Sequence, residues 1–338
     1  MLVGVCDFPG RYAFPPTGYA GIERWLWAVA VGARRAGARV HLLGPQWRGE
    51  LNGEWTVRPV RLETLSEVEL AEFRDARYDL LVAWHEYPAL PAWRQAWQAL
   101  DCAVASFQHG TNRMQPAGTF DGERSRLYCY STEMMTRYAA HRPRAELAVH
   151  LGLGEDEPPA AGGTGLVWVG RIVADKAPHL AVSAARLLGR RITLAGPVFD
   201  GDYLHAHRDL FGADHVRFAG ELGGPAKTAA FHDGAVFVYT CARDYVEAGA
   251  AVFGEALRAG TPVAALAWRA GTCAEAALCA ESGRIARVEP DASDECAAAS
   301  LATAIESAAT LDAAAVQAVG LARFDPAQHF RALAGLAT

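Results

Sequence analysis

At 338 residues, with 51% apolar and 21% charged side chains, the chain has the length of about two domains and the composition of a globular protein. A net charge of −6 gives no argument for nucleic acid or an acidic membrane surface as partner. No run approaches the ~20 apolar residues of a membrane span.

Seven cysteines (Cys6, Cys102, Cys129, Cys241, Cys273, Cys279, Cys296) are odd in number, scattered and without a C-x-x-C pair. With no secretory leader, they read as free, mostly buried thiols in a reducing cytoplasm. Cys273 and Cys279 with Glu275 could be drawn as metal ligands, but no histidine has useful spacing, so no metal is expected. Of the 32 basic residues all but Lys176 and Lys227 are arginine, which makes Lys176 stand out.

Leu2–Cys6 is a short apolar run that predicts a strand. A loop holding Gly18, Tyr19 and Gly21 follows, then a helix from Ile22 to about Ala36 stopped by Gly37, then a strand at Val40–Leu43. Strand, glycine loop, helix, strand is one βαβ unit, and parallel sheets bind ligands at the carboxyl ends of their strands. Glycine is also common in any βα turn, and the loop lacks the G-x-G-x-x-G pattern. Leu80–Trp84 predicts a buried strand running into His85, and Ala103–Phe107 another running into His109. Two histidines thus reach the same sheet edge as the glycine loop. A further strand is expected at Leu127–Ser131 and a helix at Glu133–Ala140.

Residues 154–165, G-E-D-E-P-P-A-A-G-G-T-G, have the composition of a linker. The βαβ logic then repeats. A strand at Leu166–Val169 leads into a loop carrying Arg171 and Lys176, a helix at Pro178–Leu188 and a strand at Ile192–Ala195. A forked donor and a point charge on one loop suit phosphate oxygens, though they also read as two surface cations. Beyond lie a helix at Tyr203–Leu210, a strand at Val216–Gly220, a helix at Lys227–Asp233 and a strand at Val236–Thr240. After the stretch at Tyr245–Leu266, helices are expected from near Ala274, at Ala297–Ala309 and Ala313–Leu321, and in the tail from Arg323.

The stretch Tyr245–Leu266 concentrates the chemistry. It predicts a helix from near Gly249, ended by Gly260 and Pro262, then a buried strand. Glu247 stands before its first turn and Glu255 two turns in, with the free N–H groups of the helix start between them. Carboxylate, anion site, carboxylate suits a sugar, a diphosphate and a ribose. The same residues also read as an N-terminal charge on a core helix and a solvated face.

Three segments resemble the retaining glycosyltransferases of family 4: Y-A-G-I-E-R at Tyr19–Arg24, V-G-R-I-V-A-D-K at Val169–Lys176, and E-A-G-A-A-V-F-G-E at Glu247–Glu255 followed by G-T-P-V at Gly260–Val263. The resemblance spans the chain in order. It implies the GT-B architecture, an α/β fold of two Rossmann-like parallel-sheet domains facing a central cleft. Residues 1–153 would form the acceptor domain, 154–165 the linker and hinge, 166–320 the donor domain, and 321–338 a helix crossing back to the first.

By the same resemblance, the backbone at Gly21 approaches the donor diphosphate, and Arg171 and Lys176 neutralise it as it leaves. Glu247 holds sugar hydroxyls, with Gly249 and Ala250 beside it at the donor, and Glu255 grips the ribose. His109 lies near the transferred sugar, with His85 and Tyr19 as further sugar or acceptor contacts. Two positions depart from the family pattern. Ala248-Gly249 replaces the usual proline and phenylalanine, as in small natural-product members, and Ala20-Gly21 replaces paired glycines.

The implied reaction is transfer of a sugar from a nucleotide-diphosphate sugar, UDP by family frequency, to an acceptor hydroxyl with retention. It needs no obligate metal or cofactor and no carboxylate nucleophile of the hydrolase kind. A soluble natural product is the expected acceptor, a lipid or envelope polysaccharide the alternative. A non-catalytic sugar-nucleotide-binding partner, or an epimerase or phosphorylase on the same fold, would be other classes.

Overall fold

A computed structural model of the chain describes residues 1–7, 13–16, 20–48, 51, 53–84, 90, 93, 102–111, 125–141 and 163–335. The chain forms two units: Met1–Pro16, Ala20–Leu153 and Asp325–Thr338 make the first, Thr17–Tyr19 and Gly154–Phe324 the second.

The first unit holds six parallel strands, β1 (Leu2–Cys6), β2 (Arg39–Leu43), β3 (Thr56–Arg58), β4 (Leu80–Trp84), β5 (Ala103–Phe107) and β6 (Ser125–Tyr128), in the order β3-β2-β1-β4-β5-β6. Val3 lies opposite both Val40 and Leu80, and every residue of β1 is buried, as expected of a central strand covered on both faces. The second unit repeats the plan with β7 (Gly165–Val169), β8 (Ile192–Ala195), β9 (Val216–Gly220), β10 (Gly234–Tyr239), β11 (Val263–Ala267) and β12 (Gly283–Arg287), in the order β9-β8-β7-β10-β11-β12. Each sheet therefore grows outward from its first strand, returns, and continues from the fourth on the other side. The switch points lie between β1 and β4 and between β7 and β10, where open parallel sheets form their crevice.

The helices of the first unit are α1 (Gly21–Arg35), α2 (Glu67–Ala76) and α3 (Thr132–Arg137). Those of the second are α4 (Pro178–Leu187), α5 (Gly201–Ala206), α6 (Arg208–Phe211), α7 (Gly224–Asp233), α8 (Ala251–Arg258), α9 (Cys273–Ala277), α10 (Asp294–Ala308) and α11 (Ala313–Arg323). The final helix, α12 (Pro326–Ala334), belongs to the first unit and packs on α1. The approach is close: a Cβ at Gly32 would sit 2.1 Å from the carbonyl oxygen of Pro326. In the second unit Gly320 on α11 plays the same part against Leu257 on α8. No helix among the described residues is long and apolar enough to cross a membrane. None of the seven cysteines is in a disulfide, and five are buried.

Several elements differ from the sequence expectation. The strand placed at Leu127–Ser131 ends at Tyr128, because Ser131 is the N-cap of α3 and accepts the Met134 N–H. The helix expected over Tyr203–Leu210 is two short ones broken at His207, with Asp200 capping the first. The helix expected from Gly249 starts at Ala251, so residues 247–250 are not helical. Eight residues of helical rise therefore do not separate Glu247 from Glu255. Its other end agrees: Gly260 takes φ +77° beyond Arg258, and the Thr261 N–H returns to the Ala256 carbonyl. Residues 154–162 of the expected linker lie outside the described residues.

Candidate functional site

The second unit gathers the charged residues at the carboxyl ends of β7 and β10. After β7 the chain turns through Gly170, whose oxygen comes within 1.8 Å of where a Cβ on Gly196 would stand; Gly196 also holds φ +145°. Only glycine fits there, and it lets the loops after β7 and β8 touch. The β7 loop ends in a 3₁₀ turn, Ala174–Lys176, and passes through Ala177 at φ +44° into α4, whose first residue is Pro178.

Hydrogen bonds tie this loop to the one after β10. The Thr240 hydroxyl donates to the Lys176 carbonyl (2.8 Å) and accepts from the Trp168 indole (2.9 Å), while the Ala242 N–H donates to the Asp175 carbonyl (2.8 Å). The Arg269 guanidinium donates to the carbonyls of Arg243 (2.5 Å) and Tyr245 (2.6 Å) and braces the loop from the β11 side.

Within this frame the Lys176 ammonium pairs with Glu247 Oε2 and lies 4.9 Å from the centroid of the Tyr245 ring. The Tyr239 hydroxyl donates to the same carboxylate oxygen at 3.3 Å. Arg171, on the same loop as Lys176, rests its guanidinium on the exposed Phe199 ring, 5.6 Å from the centroid. Burial lifts the Tyr239 phenol well above its ordinary pKa, with Cys273 and Glu247 adding to it. The Glu247 charge, then burial, push Tyr245 up to about 12, against the opposing pull of Lys176 and Arg171. The Tyr239 phenol therefore stays protonated and acts as a donor to Glu247.

Glu255, in the middle of α8, is buried, and Lys227 on α7 pairs with its Oε2. The side chains retain only 14% (Lys227) and 9% (Glu255) of their exposure, which excludes the reading of Glu255 as a solvated face. Glu247 and Glu255 share one pattern: a lysine holds Oε2, and among the described residues Oε1 has no hydrogen-bond partner. The two lysines of the chain serve these two carboxylates.

Between the glutamates lies the start of α8, where the N-cap is Ala250 and no side chain caps the helix. The helices that follow β1 and β7 likewise have alanine N-caps, Ala20 and Ala177, without a capping side chain. In α4 the Tyr203 hydroxyl does reach the His179 N–H, at 3.2 Å. Serine or aspartate side chains cap α2, α3, α5, α10, α11 and α12. The helices after β1, β7 and β10 thus start without a capping N-cap side chain, as do α6, α7 and α9.

In the first unit Gly21 heads α1, and among the described residues no heavy atom lies within 4 Å of where a Cβ would stand. His109 follows β5; its Nδ1 is 3.2 Å from the hydroxyl of the buried Tyr130, and its ring meets Trp25 edge-on at 4.7 Å. Glu23, in the first turn of α1, is buried, and that burial raises its pKa. His85 and Tyr19 lie outside the described residues.

The structure thus brings Lys176 to Glu247 and puts Gly249 and Ala250 directly before α8. It adds three residues that the sequence reading did not use: Lys227, Tyr239 and Tyr245. Lys227 carried a signal, as the second lysine of an otherwise arginine-based chain. Glu275, drawn earlier as a metal ligand with Cys273 and Cys279, instead accepts the Gly271 N–H (2.6 Å) and pairs with Arg287. Among the described residues no group of three or more histidine, cysteine, aspartate or glutamate side chains is arranged to hold a metal ion.

No protein-family model and no curated protein matches the sequence. Solved structures do resemble the fold. AviGT4, a glycosyltransferase involved in avilamycin A biosynthesis, superposes with a TM-score of 0.74 at 20% identity, over 99% of this chain and 96% of AviGT4. A Thermobaculum terrenum O-GlcNAc transferase mutant gives 0.62 at 16% identity, over 100% of this chain and 67% of that one. TarM gives 0.54 at 11% identity, over 80% of this chain and 57% of TarM. At these identities the likeness concerns the fold: two Rossmann-like parallel-sheet units in succession, the fold of the GT-B glycosyltransferases.

Proposed function

We propose that the chain is a retaining glycosyltransferase that transfers a sugar from a nucleotide-diphosphate sugar, with UDP as the nucleotide, to the hydroxyl of a soluble small molecule. The observation that carries this reading is the paired arrangement of Glu247 and Glu255. Each is a mostly buried carboxylate steadied by one lysine with one oxygen open, and they flank a helix start whose N–H groups no side chain claims.

In this reading Glu247 Oε1 accepts hydrogen bonds from sugar hydroxyls and Glu255 Oε1 from ribose hydroxyls. The diphosphate lies at the first turn of α8, beside Arg171 and Lys176. As the glycosidic bond breaks, negative charge grows on the diphosphate. Two cations and fixed N–H dipoles, already oriented, stabilise it with little reorganisation. On the family resemblance, retention is assigned to reaction on one face of the sugar, with no carboxylate nucleophile. His109 and Gly21 in the first unit are assigned to the sugar and diphosphate on the family resemblance. The soluble acceptor rests on that resemblance too, and on AviGT4 being a glycosyltransferase of avilamycin A biosynthesis.

Thermal-shift and calorimetric titration with UDP, GDP, ADP and dTDP test the reading on wild type, Arg171→Ala and Glu255→Ala. One diphosphate is expected to bind wild type and to bind both variants at least tenfold more weakly. Absence of binding by wild type, or equal binding by the variants, would overturn it.

A further inference from the structure

Tyr239 has no part in the reaction as drawn, yet it is placed with some economy beneath it. It is the last residue of β10, the strand at the switch point, and its side chain is buried. Its hydroxyl lies between two groups: it donates to Glu247 Oε2 at 3.3 Å and stands 4.0 Å from the Cys273 sulfur, at the start of α9. The phenol ring packs on Phe253 of α8 with centroids 4.6 Å apart, which fixes the direction in which the hydroxyl points. Strand β10 and helices α8 and α9 thus all set the position of this one oxygen.

Glu247 itself comes from the non-helical segment before α8. Nothing in regular secondary structure orients its carboxylate. Two side chains do, and both act on Oε2: Lys176 from the β7 loop and Tyr239 from β10. Lys176 cannot do this alone throughout a reaction, because the leaving diphosphate competes for the same ammonium. When Lys176 turns toward phosphate, Tyr239 is the remaining group among the described residues that keeps Oε2 occupied and Oε1 turned outward.

We infer that Tyr239 is a positioning residue for Glu247, holding the carboxylate so that Oε1 meets the hydroxyls of the donor sugar. The inference rests on the proposed function, because it takes Glu247 as the sugar-binding carboxylate. Its consequence is selective. Loss of the hydroxyl acts on the sugar half of the donor and leaves the nucleoside diphosphate half alone, which is held by Arg171, the α8 N–H groups and Glu255. The shape of the site is kept by phenylalanine, since the ring and its contact with Phe253 remain.

The experiment compares wild type, Tyr239→Phe, Glu247→Gln and the double variant. Calorimetry measures binding of UDP and of UDP-glucose, UDP-N-acetylglucosamine and UDP-galactose; the rate of diphosphate release gives kcat and KM for whichever nucleotide sugar is turned over. Tyr239→Phe is expected to keep the wild-type melting temperature and UDP affinity. It should bind the nucleotide sugar, and turn it over per KM, about tenfold less well, the scale of one hydrogen bond to a charged group. In the double variant the two effects should not multiply, since both act through one carboxylate.

Equal loss of affinity for UDP and nucleotide sugar would mean a structural role and overturn the inference. So would unchanged handling of the nucleotide sugar. Failure of wild type to bind UDP or any of these sugars would overturn the proposed function, and the inference with it. Wild-type binding with an unaffected Tyr239→Phe would overturn the inference alone.

Discussion

Replacing Lys227 by methionine separates what the Lys227–Glu255 pair does for stability from what it does for binding. Methionine keeps the length of the side chain and removes the ammonium, so Glu255 is left as a carboxylate with 9% exposure and no partner among the described residues. Removing one member of a fully buried ion pair costs about 3–5 kcal/mol. Both side chains here keep an edge in solvent, so the expected cost is nearer ~2–3 kcal/mol. At roughly 2–4 °C per kcal/mol for a domain of this size, the melting temperature should fall by about 5–10 °C.

Adding Glu255→Leu to Lys227→Met turns the pair into an apolar contact of similar volume, and most of that loss should return. Nucleotide binding should not return with it, because the open oxygen of Glu255 is gone. Thermal and urea unfolding of wild type, both single variants and the double variant give the coupling energy, and calorimetry with UDP gives the binding. The reasoning is refuted if Lys227→Met melts with wild type, or if the double variant is no more stable than Lys227→Met.

Other perturbations read other parts of the molecule. Gly32→Ala places a methyl 2.1 Å from the Pro326 carbonyl and should push α12 off α1, at a cost of about 1–3 kcal/mol in urea unfolding; an unchanged midpoint would mean the helices part freely. Arg171→Ala should weaken UDP binding about tenfold or more while leaving the melting temperature of the ligand-free protein within a few degrees, since the side chain rests on the exposed Phe199. Burial holds the His179 imidazole below its ordinary pKa, against the Asp294 carboxylate, which raises it, so the folded chain binds that proton less readily than the unfolded chain does. Stability should therefore fall as the pH drops below about 6.5 towards the lower folded value, and His179→Gln should flatten part of that slope in melts taken across the range.

The interior of both sheets could be read from the sequence because central parallel strands are covered on both faces and appear as apolar runs, as in Leu2–Cys6, Leu80–Trp84 and Val263–Ala267. Edge strands lack that signature. Thr56–Arg58 and Gly283–Arg287 carry arginines, are paired on one side only, and neither was expected. Helix α2 was missed although Ser66 and Glu69 form a capping box at its start. Its mixed, weakly amphipathic sequence hid the helical period.

At the candidate site, Arg171, Lys176, Glu247 and Glu255 were visible as candidates from residue type and spacing, three of them in loops and Glu255 within α8. Their partners were not. Lys227 and Tyr239 reach the glutamates from other elements, α7 and β10, and such contacts across the fold leave no local spacing to find. The start of α8 was misplaced for a related reason: glycine and alanine in Ala248-Gly249-Ala250 are compatible with a helix, and the loop is fixed instead by bonds to Arg269 and Asp175.

The proposed function has the site bind and turn over a nucleotide-diphosphate sugar with retention. Its most direct test is proton NMR of the protein with a panel of α-linked nucleotide sugars and a simple alcohol as acceptor, following the anomeric signal and diphosphate release. The account predicts that one donor is consumed, that the first product carries the α configuration, and that Glu247→Gln abolishes the signal. A β product would contradict retention, and a panel left intact, with no diphosphate bound in calorimetry, would contradict the assignment of the site.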